Sequence, residues 1–495
     1  MTSIFYNIYP AVTEIYIIFS VCLLLLYGVL SSNFFSLGYP ILSQNLGWLA
    51  LQVSILSLIL TYSQFPISML YWNSLLISDT FVWNLKLIIL FSVNLWLLLS
   101  LPYTKFEKLN SFEYWILSLL AVCAMLFVIQ SFDILSIYLT IELQSLIFYI
   151  LASFKRNSEF STEAGLKYFV LGAFSSALLL FGSSILYGLT GLTNLNDFSK
   201  FFSGILIDEN FYFIGILIGF AFVTVSFLFK ISAAPFHMWA PDVYEGAPTS
   251  VTAFFSILPK VVILTLLFRF LVFSFYDFMP LWRNFIIICA TFSLLIGSLG
   301  AFMQTKWKRF MAYSSITHIG FILIALLMGD SEGLISGIFY TFVYILTMLG
   351  SFSFIIGLRF YRYPTHYQTR YLWDIKALGK NNSLLANSMV IILFSMAGIP
   401  PLAGFFAKFF VLLIALQSHS IGISLIAIVA SCISCFYYIR LIKTMYFIDL
   451  VDSIVTYPMS KETSFILGIS ILTLISIFID LEFITNFITL MTLTF

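Results

Sequence analysis

Five titratable side chains set inside apolar runs are the residues most able to do chemistry. Glu142 lies in "FDILSIYLTIELQSLIFYIL", Lys230 opens "KISAAPFHMWAPDVYEGAPT", and Lys260 follows Pro259 in "FFSILPKVVILTLLF". His318 sits in "MAYSSITHIGFILIAL", and Lys408 follows a proline pair in "GIPPLAGFFAKFF". A charge at bilayer mid-depth costs roughly 2.5–3.5 kcal/mol on insertion scales, so such groups usually face a wet interior and carry function. The chemistry they offer is proton exchange. Burial disfavours an ammonium and a nearby carboxylate favours it again, so a lysine and a glutamate that approach and part can take up and release a proton. Spacing along the chain does not itself bring Glu142 to Lys230; that requires the tertiary fold.

Two of the lysines adjoin broken helices. Pro235, and later Pro400 with Pro401, lack a backbone donor and clash with the preceding turn, which frees peptide groups at membrane depth. Those groups must meet water or protein, and the exposed helix ends suit an ammonium that exchanges a proton. Each feature also has a plainer reading. Prolines can kink a helix for packing alone, and lysines near helix ends snorkel, which is how Lys86 reads. A neutral His318 can serve a neighbouring helix, and both readings of that residue stay open.

The elements that must position these groups follow from composition. The 495 residues are 61% hydrophobic and 9% charged, with a mean hydropathy of +1.05. This predicts an all-α polytopic membrane protein with about fourteen spans of about 20 residues. The spans fall near 12–30, 44–61, 81–101, 112–129, 132–154, 164–188, 211–245, 250–275, 280–302, 309–328, 334–358, 384–417, 421–445 and 463–486. The seventh and twelfth are interrupted. The N-terminal run has no basic leader and no small-residue cleavage site, so it reads as the first span.

Net charge +1 and the lack of a basic arm argue against a nucleic-acid partner. All five cysteines lie in apolar stretches, which suggests neither a disulfide framework nor an iron–sulfur set, and Cys432 with Cys435 reads as packing. Four scattered histidines offer no facing pair for haem. Neither a metal site nor a cofactor site is expected in this chain. High Phe and Tyr against low Gly and Pro favour A/T-rich codons, as in an organelle or an A/T-rich bacterium.

Charge parity orients the spans. Joints after odd-numbered spans carry Lys105, Lys108, Lys155, Arg156, Lys306, Lys308, Arg309, Arg359, Arg362, Arg370, Lys376, Lys380 and Lys461. Even joints hold Lys200, with Arg283 just inside the next span, and mostly acids: Asp79, Asp208, Glu209, Asp277, Asp330 and Glu332. Lys and Arg favour the cytoplasm-like side, which places both termini on the positive side of a proton gradient. The joint "SKFFSGILIDEN" reads as an interfacial amphipathic stretch. Glu142 and Lys230 are 88 residues apart, and His318 and Lys408 are 90 apart. Each step ends at a broken helix, which suggests two five-helix units of inverted topology.

Four stretches carry a resemblance: "GLKYFVLGAFSSALLLFG" from Gly165, "FKISAAPFHMWAPDVYEGAPT" from Phe229, "KRFMAYSSITHIGF" from Lys308 and "GIPPLAGFFAKF" from Gly398. Over roughly Phe112 to Phe447 the chain resembles the antiporter-like membrane-arm subunits of NADH:ubiquinone oxidoreductase, respiratory complex I, and subunit 2 in particular. The resemblance implies fourteen helices, discontinuous at the seventh and twelfth. It implies an N-terminal three-helix segment (1–110), inverted repeats over 111–278 (spans 4–8) and 279–447 (spans 9–13), and a C-terminal helix (448–495).

By position Glu142 is similar to the family's fifth-helix glutamate, Lys230 to its seventh-helix lysine, Lys260 to the central eighth-helix lysine and Lys408 to the twelfth-helix lysine. His318 is similar to a polar residue of the central hydrophilic axis. The function implied is proton translocation coupled to quinone reduction, with Glu142 and Lys230 opening and closing as a pair, Lys260 relaying and Lys408 passing protons on. NADH, FMN, iron–sulfur clusters and ubiquinone are expected in the rest of the complex. The implied partners are other membrane-arm subunits, adjacent antiporter-like subunits among them, and membrane lipids. The implied place is the mitochondrial inner membrane, multi-pass, with both termini toward the intermembrane space; a bacterial plasma membrane is the alternative. A stand-alone cation/proton antiporter subunit, the plastoquinone-linked photosynthetic homologue and a non-pumping scaffold remain as rival readings.

Overall fold

The structure is a computed structural model that describes residues 7–32, 43–109, 111–203, 211–362, 365–448 and 456–492. Its helices, in chain order, begin with α1 (Val12–Ser32), α2 (Ser43–Ser63), α3 (Thr80–Phe106), α4 (Glu113–Gln130), α5 (Ile134–Ala152) and α6 (Glu159–Thr190). There follow α7 (Leu195–Ser203), α8 (Phe211–Lys230), α9 (Trp239–Gly246), α10 (Thr249–Phe268), α11 (Met279–Phe302), α12 (Trp307–Ala325) and α13 (Ser331–Gly357). The last are α14 (Leu378–Asn381), α15 (Ser383–Ala397), α16 (Ala403–Gln417), α17 (Ile421–Tyr446), α18 (Lys461–Ile479) and α19 (Leu481–Thr492). Most of the long helices are apolar on every side, as expected where lipid or protein surrounds them and backbone groups must be satisfied within the segment. Polar joints start several of them: Asp79 accepts from the Val82 amide at 2.7 Å and Asp133 from the Leu135 amide at 2.9 Å.

The polytopic all-helical class expected from composition is the class observed. Thirteen helices among the described residues are long and apolar enough to cross a membrane. The span 384–417, expected with a break, consists of two shorter helices, α15 and α16. The expected span 211–245 consists of α8, an irregular stretch and the eight-residue α9. The last expected span, 463–486, needs correction: α18 stops at Ile479 and α19 starts at Leu481. Asp480 divides them because its carboxylate accepts the Phe483 amide at 3.1 Å, so it starts a new helix instead of continuing the old one. Two small antiparallel sheets in the joints had no signal in hydropathy: β1 (Met69–Tyr71) pairs with β2 (Leu76–Ser78), and β3 (Arg359–Arg362) pairs with both β4 (Thr365–Gln368) and β5 (Thr456–Tyr457). The expected interfacial stretch begins in α7, which buries Leu195, Phe198 and Phe202. Asp208 and Glu209 lie outside the described residues.

The chain divides into two compact units. The first comprises Met1–Ile231, Leu258–Met279 and Met491–Phe495. Within it α6 packs along α8, α2 along α3 and α4 along α5. Small residues permit the first of these: a Cβ on Gly182 of α6 would stand 2.8 Å from the Gly219 carbonyl oxygen of α8, so a larger side chain there would force the helices apart. The second unit comprises Ser232–Ile257 and Pro280–Leu490. Here α13 packs against α18 and α16, and α12 lies against α13, α16 and α9.

Candidate proton-transfer site

In the first unit, α5 carries Glu142 and the last residue of α8 is Lys230. The Lys230 ammonium is buried and makes no hydrogen bond in the structure. Glu142 lies within electrostatic range of it, yet the two form no ion pair of 4 Å or less among the described residues. The tertiary fold therefore leaves Glu142 within electrostatic reach of Lys230 without an ion pair between them. The Glu142 carboxylate accepts from the Ser145 hydroxyl one turn on, at 3.3 Å. Helix α8 ends because Ser232 has φ +62°, a left-handed conformation that a helix cannot continue. Regular helix resumes only at Trp239, after the Ala234–Pro235 bond, which is cis.

Lys260 sits in α10 and is 1% exposed. Pro259 precedes it and lacks an amide hydrogen, so the Phe255 carbonyl four residues back loses its usual helical donor. The Tyr244 hydroxyl donates to that carbonyl at 3.2 Å, and the Tyr344 hydroxyl donates to the next one, that of Ser256, at 2.8 Å. The carbonyl that the proline deprives is thus satisfied by a buried tyrosine hydroxyl.

In the second unit, His318 of α12 has its Nδ1 2.8 Å from the Tyr340 hydroxyl of α13. Lys408 of α16 donates to the Ala397 carbonyl, the last of α15, at 2.8 Å. Its ammonium also lies over the Phe321 ring, 5.3 Å from the centroid. Phe321 is three residues beyond His318, on the same helix, so Lys408 reaches the segment of α12 that holds the histidine. Gly398 makes the break possible: it takes φ +83°, and its amide and that of Ile399 both bond back to the Phe394 carbonyl, at 3.0 and 3.1 Å. Pro400–Pro401, also cis, then leads into α16.

Several charged residues have partners that the sequence did not reveal. Lys86 does not snorkel. It is 3% exposed and forms a 2.8 Å ion pair with Glu14 of α1, whose position near the start of the chain gave no hint of a partner on α3. Asp79 and Arg269 form a second buried pair at 2.7 Å, and Arg269 also donates to the Ile129 carbonyl at 3.2 Å. In the second unit, Glu245 of α9 receives Lys306, Arg309 (3.3 Å) and Arg370 (3.4 Å), while Asp242 receives Arg309 at 2.7 Å. The alternation Asp-x-x-Glu on a short helix was the available signal for this cluster. Among the described residues no group of three or more His, Cys, Asp or Glu is placed to hold a metal ion.

Residues 131–434 match the family model described as NADH:quinone oxidoreductase/Mrp antiporter, transmembrane. The chain is 46% identical over 462 residues to NADH-ubiquinone oxidoreductase chain 2 of Marchantia polymorpha, covering 92% of each chain. It is 42% identical over 475 residues to the protein of the same name from Oenothera berteroana, covering 95% of this chain and 94% of that one. Among solved structures, a chain of respiratory complex I from Thermus thermophilus superposes with a TM-score of 0.78 at 23% identity, over 96% of this chain and 98% of that one, a likeness of fold.

Proposed function

The chain belongs to the NADH:quinone oxidoreductase/Mrp antiporter membrane family, and from that premise we propose how its buried charges work. It is a proton-translocating membrane-arm subunit of NADH:ubiquinone oxidoreductase, an enzyme complex to which it contributes proton transfer. Cofactors belong elsewhere in that complex: NADH, FMN, iron–sulfur clusters and ubiquinone are assigned to its other subunits. Neighbouring antiporter-like subunits and membrane lipids flank this chain. It resides in the mitochondrial inner membrane with both termini toward the intermembrane space, as the charge parity of its joints supports.

Glu142 and Lys230 form the gated pair. Lys230 carries the reading: its ammonium is buried, lacks a hydrogen bond and ends an interrupted helix, so it stands where an approaching Glu142 carboxylate can gate it. When the carboxylate closes on it the ammonium is favoured, and when the pair parts the proton is released. Lys260, beyond the proline in α10, relays within the first unit. His318 and Lys408 serve the second, where the carbonyl end of α15 holds the ammonium by charge and by hydrogen bond. The two interrupted segments support an arrangement of repeats over 111–278 and 279–447, each ending its polar set at a break, with an N-terminal three-helix segment (1–110) and a C-terminal helix (448–495) outside them.

The test uses assembled complex reconstituted in liposomes. Lys230→Ala and Glu142→Ala are expected to lower NADH-driven proton pumping several-fold while the complex stays assembled. Normal pumping by assembled Lys230→Ala complex overturns the assignment. The family also contains antiporters, and co-purification separates that reading: a large NADH-oxidising assembly supports a complex I subunit, a small cation/proton antiporter complex the other.

A further inference from the structure

Glu14 and Lys86 are buried titratable groups that the pathway above leaves unused, and they lie outside both proposed repeats. Lys86 Nζ is 2.8 Å from Glu14 Oε1 and 3.1 Å from the Pro10 carbonyl oxygen. The same carboxylate oxygen accepts from Gln130 Nε2 at 2.8 Å, and Oε2 accepts from the Thr13 hydroxyl at 2.9 Å. The Tyr71 hydroxyl fixes Gln130 by donating to its Oε1 at 2.7 Å. Cys123 Sγ stands 3.9 Å from the Glu14 backbone oxygen. If the role of these residues were only to fasten α1, α3 and α4, apolar side chains of similar volume would serve at least as well, because taking two charges out of water often costs more than their attraction returns.

A cavity explains why charges are kept. It has a volume of about 20 Å³ and is bordered by Tyr9, Pro10, Gln64, Asp79 and Lys86 among others. That is room for about one water molecule, which needs roughly 10–15 Å³ and two to four polar partners. An ammonium has three hydrogens to donate. Glu14 and Pro10 take two, which leaves one for the cavity that Lys86 and Pro10 themselves border. Asp79, whose carboxylate is held by Arg269, borders the same space.

We propose that Glu14 and Lys86 form a further proton-binding site, loaded through a single water in this cavity from the face that carries the 64–79 joint. The proposal rests on the reading of the chain as a proton-translocating subunit and adds a site to it. In loading, a protonated water gives its proton to Lys86 Nζ as one N–H bond of Lys86 breaks and an O–H bond forms on Glu14 Oε1. Glu14 becomes a neutral carboxylic acid, Lys86 keeps its charge, and neutral water remains. Release is the reverse. The pair thus holds one extra proton beside its own counter-charge, with Gln130, Tyr71 and Thr13 keeping the carboxyl group aimed.

Infrared difference spectroscopy on assembled complex, resting against NADH-driven, reads the carboxylic acid directly, and proton uptake by reconstituted complex reads the number pumped per NADH. Two variants are compared with the wild type: Glu14→Gln, and the charge-free double variant Glu14→Gln/Lys86→Met, which leaves no unpaired buried charge. Loss of a protonated-carboxyl signal together with fewer protons pumped per NADH, in whichever variant assembles, is the expected result. An unchanged signal and unchanged protons per NADH in an assembled variant overturn the proposal. Failure of both variants to assemble also counts against it, since it assigns the pair to fastening helices alone. A Lys230→Ala complex measured alongside separates the two claims: normal pumping there contradicts the pathway, whereas the Glu14 signal decides this site.

Discussion

Lys408 spans a broken helix by hydrogen-bonding, across 2.8 Å, to the carbonyl of Ala397, eleven residues earlier. The last carbonyls of a helix have no partner within it and carry partial negative charge. A lysine placed there satisfies the break, and in the proposed pathway it also carries the proton. Lys408→Met therefore removes two things at once. Proton pumping by assembled complex is expected to fall several-fold, and the unpaired carbonyl is expected to cost about 1–3 kcal/mol, read as a lower unfolding temperature.

Gly398 is expected to tolerate no side chain. Its φ of +83° is a conformation that costs a residue with a Cβ about 1–2 kcal/mol. An added Cβ would also stand 2.8 Å from Lys408 Cδ. Gly398→Ala should lower both thermal stability and pumping. Gly422→Ala, where an added Cβ meets nothing within 4 Å, is the neutral control in the same assay.

Asp79 does two jobs, and substitutions separate them. It caps α3 through the Val82 amide and faces Arg269. Asp79→Asn keeps an acceptor for the cap and removes the counter-charge, which for a buried pair costs about 3–5 kcal/mol. Asp79→Ala adds the loss of the cap, about 1 kcal/mol more. Thermal unfolding of the purified complex should rank the wild type first, Asn second and Ala last. Equal loss in the two variants would mean the cap contributes nothing.

The cluster around Glu245 should respond to salt. Three cations converge on one partly exposed carboxylate, so Glu245→Gln leaves them repelling one another and loosens α9 from the start of α12. For partly exposed pairs the loss is small, on the order of 1 kcal/mol. Ionic screening weakens such interactions, so the difference in unfolding temperature between wild type and Glu245→Gln should shrink as salt is raised. A difference that does not change with salt would mean that packing is responsible.

The amino-acid sequence by itself determined the class of the fold, the approximate positions of the spans and three lysines inside them. Hydropathy over about 20 residues, proline in an apolar run and a charge inside one are local signals, and each follows from the cost of exposing polar groups to hydrocarbon. Lys230, Lys260 and Lys408 were visible for that reason. The tertiary structure alone decided who meets whom. Lys86 and Glu14, 72 residues apart in sequence, are paired only because α1 and α3 are brought together; with the same local signal as a snorkelling lysine, Lys86 could not be told from one. Lys408 on the carbonyl of Ala397 and three cations on Glu245 are likewise facts of packing. Charge acts over a few ångströms in space, and the sequence specifies separation along the chain.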